Sequence, residues 1–146
     1  MGEPGSRVDG SPASDARRRE LGVTLQRAIR GEVRFDDGTR TVYATDSSNY
    51  RQVPLGVVFP LDHDDVVVAL RVCAEYDAPV LARGPGTSLA GQACNVAVVV
   101  DTSRHMTKIL AIDPVGRTAR VQPGVVLHDR SHRPHRGPEA RARVSE

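Results

Sequence analysis

Hydrophobic positions near the start of the chain recur with helical spacing. Leu21, Leu25, Ala28 and Ile29 form a stripe at i, i+4, i+7 and i+8, which predicts a helix over 15–30. Gly31 follows where a C-cap belongs. Downstream, strand-like and helix-like patterns alternate. The apolar run GVVFP at 56–60, closed by a proline, predicts a short buried strand. From Asp62 the spacing turns helical again. Asp62, Asp64 and Asp65 crowd a first turn, where carboxylates accept orphan amides and meet the positive end of the dipole. Val66, Ala69, Leu70, Cys73 and Ala74 supply a buried face, and Pro79 stops the helix from running beyond Asp77. PVLA at 79–82 starts a second strand. NVAVVVD at 95–101 is apolar on both faces and reads as a central strand. Residues 108–113 and 118–122, split by Pro114-Val115-Gly116, predict an antiparallel hairpin. This order predicts an α/β sheet (α+β once the hairpin is counted) built around one right-handed crossover.

Composition divides the chain into three zones. Residues 1–14 are rich in Gly, Pro and Ser and are expected to be disordered. Residues 15–127 carry all the periodic pattern and form one domain. Residues 128–146 hold a single aliphatic side chain larger than Ala, Val144, and are expected to be a disordered basic tail. At 146 residues with 39% hydrophobic positions, the chain is one soluble domain at most, which excludes a collagen, a coiled coil or a wholly disordered protein. No apolar run approaches the roughly 18–20 residues of a membrane span, and the N-terminus lacks a secretory pattern. Two cysteines, Cys73 and Cys94, make neither a disulfide framework nor a metal-ligand spacing, so a reducing cytoplasm is the expected setting. The whole net charge of +2 falls within 128–146, where five arginines face three acids. The remainder is neutral, which argues against a nucleic-acid footprint spread over the fold. His128, His132 and His135 lie close in that tail, but without a surrounding fold no metal site is expected. Among single residues, an Asp101–Arg104 ion pair, a surface-exposed His105 and a solvated Arg17-Arg18-Arg19 run are expected.

The most informative stretch is Arg83-Gly84-Pro85-Gly86-Thr87-Ser88-Leu89-Ala90-Gly91-Gln92, directly after the strand PVLA. Gly84, Gly86 and Gly91 let the backbone take positive φ and approach a ligand closely. Successive amides in such a turn converge into an anion-binding nest, with the Thr87 and Ser88 hydroxyls as further donors. Arg83 adds a planar cation suited to phosphate. A dinucleotide fingerprint fails because Leu89 stands where the third glycine belongs, and a Walker loop fails because Gln92 stands where its lysine belongs. Composition alone favours an ordinary connecting loop.

The larger pattern favours the ligand loop. The stretch VVFPLDHDDVVVALRVCAEYDAPVLARGPGTSLAGQ, then NVAVVVDTSRHMTKIL, then RVQPGVVL, resembles the PCMH-type FAD-binding domain of the flavoenzymes related to vanillyl-alcohol oxidase, in the branch of glycolate oxidase and D-lactate dehydrogenase. The resemblance covers about Gly31 to Leu127 and implies the first subdomain of such a domain. It implies that the loop holds the FAD pyrophosphate through Arg83, Gly84, Pro85, Gly86, Thr87, Ser88, Gly91 and Gln92. It further implies that Pro60 lies near the adenine end, and that Pro123 and Gly124 form the turn leading toward the flavin. Members with covalent flavin carry a histidine where Thr87 stands, so reversible, non-covalent FAD is expected. Pro85 replaces the family's commoner glycine or alanine: it removes one amide from the nest, or stiffens the loop by fixing φ.

The resemblance ends after Leu127, and the substrate-binding and catalytic parts of such enzymes have no counterpart in 128–146. A truncated flavoenzyme is therefore expected. It would bind FAD as the N-terminal part of an oxidoreductase acting on a small 2-hydroxy acid, with a missing downstream half as partner, and would not be catalytic by itself. The rival readings are a non-enzymatic anion- or nucleic-acid-binding protein acting through the basic tail, and a non-functional gene remnant. Five aromatics and no stacking motif weigh against nucleic acid.

Overall fold

A computed structural model describes residues 12–126. Of the expectations for the two termini, disorder over residues 1–11, the basic tail and its three histidines lie outside the described residues, whereas residues 12–14, expected to be disordered with the rest of 1–14, open a helix.

Helix α1 (Pro12–Ala28) leads into strand β1 (Glu32–Arg34), a short α2 (Asp37–Val42), β2 (Gly56–Phe59), α3 (His63–Glu75), β3 (Val80–Arg83) and β4 (Val98–Asp101). A separate hairpin, β5 (Ile109–Asp113) with β6 (Thr118–Val121), follows. The main sheet has the order β1-β2-β4-β3. β2, β4 and β3 run parallel, with Val57 opposite Val99 and Leu81 opposite Val99, while β1 pairs antiparallel with β2. The sheet is therefore mixed. β2 and β4 are buried at every position, as their unbroken apolar runs require of strands covered on both faces. β3 lies at an edge and is half exposed.

Side-chain alternation divides the core between the two faces. On one face Leu21, Leu25 and Ile29 of the α1 region and Ala69, Val72 and Cys73 of α3 pack on Val58 and Val98. On the other, Val57, Phe59 and Val99 meet Tyr43 and Leu81. Burial raises the Cys73 thiol to about 11, in keeping with a packing role.

Four local expectations change. First, α3 is rotated: Ala69, Val72 and Cys73 are buried, but Leu70 is 45% exposed and Ala74 lies outward. The cause is Asp65, whose carboxylate turns inward to accept the amides of Arg30 (3.1 Å), Gly31 (2.9 Å) and Leu61 (3.0 Å). Asp62 is the N-cap, accepting from Asp64 N and Asp65 N. Second, Gly31 is not a left-handed cap. Its absent Cβ would lie 2.2 Å from the Phe59 carbonyl oxygen, so close approach of α1's end to β2 demands glycine. Third, Arg17 and Arg18 are not merely solvated, for they donate to the carbonyls of Tyr76 (2.8 Å) and Phe35 (3.1 Å). Fourth, β1 and α2 were not anticipated; three residues of strand are too few to show a period. Among the described residues no helix is long and apolar enough to cross a membrane.

Candidate anion-binding site at the glycine loop

The parallel strands β2, β4 and β3 end at the same edge of the sheet, the edge where open α/β sheets place ligands. Pro60 follows β2 and is fully buried. Arg83 ends β3, and its carbonyl accepts the Thr102 amide at 3.1 Å, just past β4. Gly124 lies against the same turn: a Cβ there would meet the Thr102 carbonyl oxygen at 2.2 Å, and its amide donates to Met106 O at 2.9 Å. Pro123 precedes it on the exposed side. The fold therefore brings Arg83, the glycine loop and the Pro123-Gly124 turn together around Thr102. Pro60 sits two strands along the same edge.

Within the loop, Gly86 (φ 76°) and Gly91 (φ 78°) occupy the left-handed region, where a side chain would be strained. Gly84 is different. Its φ is ordinary and nothing lies within 4 Å of the Cβ it lacks. No neighbour in the described chain requires glycine there, and the space beside it is open. The backbone amides of Gly84, Gly86, Thr87, Ser88 and Leu89 donate to nothing among the described residues. These are five donors on one turn, with Pro85 contributing none. Ser88 is turned inward: its hydroxyl bonds the Gln92 side-chain oxygen and accepts from Gln92 N at 3.2 Å. Thr87 is exposed. The donor set suits an anion bound mainly by amides, and the gap at Gly84 admits it, so the residues present fit a pyrophosphate.

The segment after α2 cradles this loop. Ser47 N donates to Gly86 O at 3.2 Å, and the Asp46 carboxylate accepts Ser48 N (2.9 Å) and Ala93 N (3.2 Å). Bonds to Ser48 hold the Asp46 carboxyl below its ordinary range, with the amide of Ala93 and the Arg83 charge adding to the effect. The Arg83 guanidinium donates to the carbonyls of Tyr43, Thr45 and Ala93. None of the residues 43–48 was picked out from sequence. The signal was Asp46-Ser47-Ser48, a run whose side chains bond their own backbone in turns.

Two expectations at the strand end are corrected. Buried Asp101 does not pair with Arg104. It accepts the Tyr43 hydroxyl (2.6 Å) and the Ser103 amide and hydroxyl (2.8 and 2.6 Å). Burial and the Asp101 contact push the Tyr43 hydroxyl well above its ordinary pKa. Arg104 instead bonds Glu32 of β1 (2.9 Å) and lies 3.9 Å over the Phe59 ring. His105 is half-buried beside the same glutamate, not surface-exposed.

A mixed α/β sheet with a glycine loop at the carboxyl ends of its parallel strands, its amides free of partners among the described residues, is an arrangement suited to a phosphate-bearing ligand. Residues 54–133 match the FAD binding domain family, and the chain belongs to that family, in its PCMH type. Among curated proteins it is 44% identical over 101 residues to a D-2-hydroxyglutarate dehydrogenase of Pseudomonas putida, covering 67% of this chain and 10% of that protein. It is 37% identical over 105 residues to glycolate oxidase subunit GlcD of Bacillus subtilis, covering 69% and 22%. The chain thus spans a tenth to about a fifth of these relatives. Solved structures share the fold: p-cresol methylhydroxylase (TM-score 0.69, 19% identity, 80% of this chain and 24% of that one) and 6-hydroxy-D-nicotine oxidase of Arthrobacter nicotinovorans (TM-score 0.58, 28% identity, 69% and 22%).

Proposed function

We propose that this chain binds FAD reversibly and is the cofactor-binding part of an oxidoreductase acting on a small 2-hydroxy acid. The observation that carries the binding is the set of unpaired amides around Gly84, the one loop glycine that the described chain does not itself require. Gly84, Gly86, Thr87, Ser88, Gly91 and Gln92 hold the pyrophosphate, mainly through backbone N–H groups. Pro60 lies toward the adenine, and Pro123-Gly124 toward the flavin. Pro85 exposes its ring at the loop's tip, and Arg83 serves the loop from behind. A threonine at 87 has no imidazole with which to attach a flavin, which supports a non-covalent cofactor. The substrate class rests on the two curated relatives, whose names both specify 2-hydroxy acids. When bound, FAD supplies an acceptor for two electrons from the substrate carbon. The chain matches only 10% and 22% of the length of these two relatives, so the described residues are assigned cofactor binding and not turnover.

Titration of the 146-residue protein with FAD, read by flavin fluorescence and calorimetry, tests the binding. Wild type is expected to saturate, and Gly86→Asp to lose at least about tenfold in affinity, since it adds both a strained φ and a negative charge beside the nest. Acid precipitation of the loaded protein should leave all flavin in the supernatant. Folded wild type that fails to bind FAD would overturn the proposal, and flavin retained in the pellet would overturn its non-covalent part.

A further inference from the structure

A lone cation at the start of an anion-binding loop invites the role of a phosphate ligand, but the geometry of Arg83 points elsewhere. Its Nη1 donates to Tyr43 O (3.3 Å) and Ala93 O (2.8 Å), and its Nη2 to Thr45 O (3.0 Å). The guanidinium lies 4.8 Å from the Tyr43 ring centroid. A Cβ on Gly86 would come within 2.4 Å of Nη2, so the loop's own backbone is folded tightly over the cation. Three carbonyls, two from the cradle and one from the far end of the loop, converge on one planar fork. A single ammonium cannot reproduce that arrangement. The Asp46 carboxylate also bonds the far end of the loop at Ala93. Three of the guanidinium's five N–H groups are taken by carbonyls, while the amides of Gly84 and Gly86–Leu89 donate to nothing among the described residues.

We propose that Arg83 is a positioning residue: it ties residues 43–45, Gly86 and Ala93 into one knot that holds the nest open, and the anion is recognised by backbone amides without touching the guanidinium. This deepens the FAD-binding reading and rests on it for its ligand. The physical consequence is specific. Recognition by neutral amides is only weakly screened by salt, whereas a direct guanidinium–phosphate contact on an exposed loop is strongly screened.

The test compares wild type, Arg83→Lys and Arg83→Gln in FAD titrations at low and high salt, with thermal melts to confirm folding. Wild-type affinity is expected to change by less than about threefold between roughly 0.05 and 0.5 M salt. Both variants are expected to bind about tenfold or more weakly at every salt concentration, with lysine giving no rescue. Lysine restoring wild-type affinity, or a steep wild-type salt dependence that Arg83→Gln flattens, would make Arg83 a direct ligand and overturn the proposal. A second measurement needs no FAD. Ser47 N and Ala93 N are bonded across the knot to Gly86 O and Asp46, so Arg83→Gln or Arg83→Lys should accelerate hydrogen exchange at both amides. Unchanged exchange overturns the knot even if wild type proves unable to bind FAD, an outcome that would by itself count only against the functional reading.

Discussion

Asp65 is a carboxylate with 4% of its side chain exposed, at the junction where α1, β2 and α3 meet. Burial alone would raise its pKa, but the amides of Leu61 and Arg30, the Arg30 charge and the amide of Gly31 outweigh it and hold the group below the ordinary value of 3.8. A carboxyl depressed in the folded state adds stability at pH above its unfolded pKa and loses that contribution as pH falls through the folded value. The protein should therefore be at full strength near neutrality and weaken below about pH 4. Half-exposed Asp62, held low chiefly by its bond to Arg30, adds in the same direction. Asp65→Asn leaves one acceptor oxygen to serve three amides and should cost roughly 1–3 kcal/mol in urea unfolding at pH 7. It should also flatten the acid limb of the stability profile. A variant as stable as wild type at pH 7, with an unchanged acid limb, would remove Asp65 from this role.

At the scale of elements, the inward turn of Asp65 sets which face of α3 is buried. Val72 is 7% exposed and packs on Val58 and Val98, whereas Leu70 is 45% exposed. Val72→Ala should cost about 2 kcal/mol and Leu70→Ala under about 1 kcal/mol, an order that chemical denaturation of the two variants can reverse or uphold. The sequence reading put Leu70 inside because hydropathy alone assigns leucine to the core and aspartate to water, and it had no means of counting three amides waiting for an acceptor. Where only apolar periodicity mattered, the reading was sound. The buried runs of β2 and β4, the central place of β4, the presence of strand β3 and the β5–β6 hairpin all match. What escaped it was set by long-range contact. β1 exists because Glu32–Arg34 pair with Val57–Phe59, and residues 43–48 matter only because the fold lays them against a loop some forty positions away. Of the candidate site, the glycine loop was legible and its cradle was not.

The molecule as a whole divides its stability unevenly between two sheets. The four-stranded sheet is sandwiched between an α1–α3 layer and the residues around Tyr43, so opening β2 or β4 means losing the core. The β5–β6 hairpin shares no ladder with that sheet. It is joined at its base by Gln122 N to Lys108 O and Gly124 N to Met106 O, each at 2.9 Å, and its turn is closed by Asp113 accepting Val115 N and Gly116 N. Leu110, Ile112 and Val115 are exposed at 53%, 38% and 95%. A two-stranded hairpin with little buried apolar surface is marginal in water, so it should open locally and often while the main sheet opens only with global unfolding. Hydrogen exchange should therefore be at least about 100-fold faster at the ladder amides of β5 and β6 than at those of β2 and β4. The Pro123-Gly124 turn hangs from the base of this hairpin, against Thr102 at the loop edge. If that turn faces a bound cofactor, saturating FAD should slow exchange at Gly124 and Val125 together with Gly84 to Leu89, and leave the outer hairpin amides fast. Protection of the glycine loop without any change at Gly124 would detach the turn from the site, and hairpin amides as slow as those of β4 would show that the hairpin is part of the core after all.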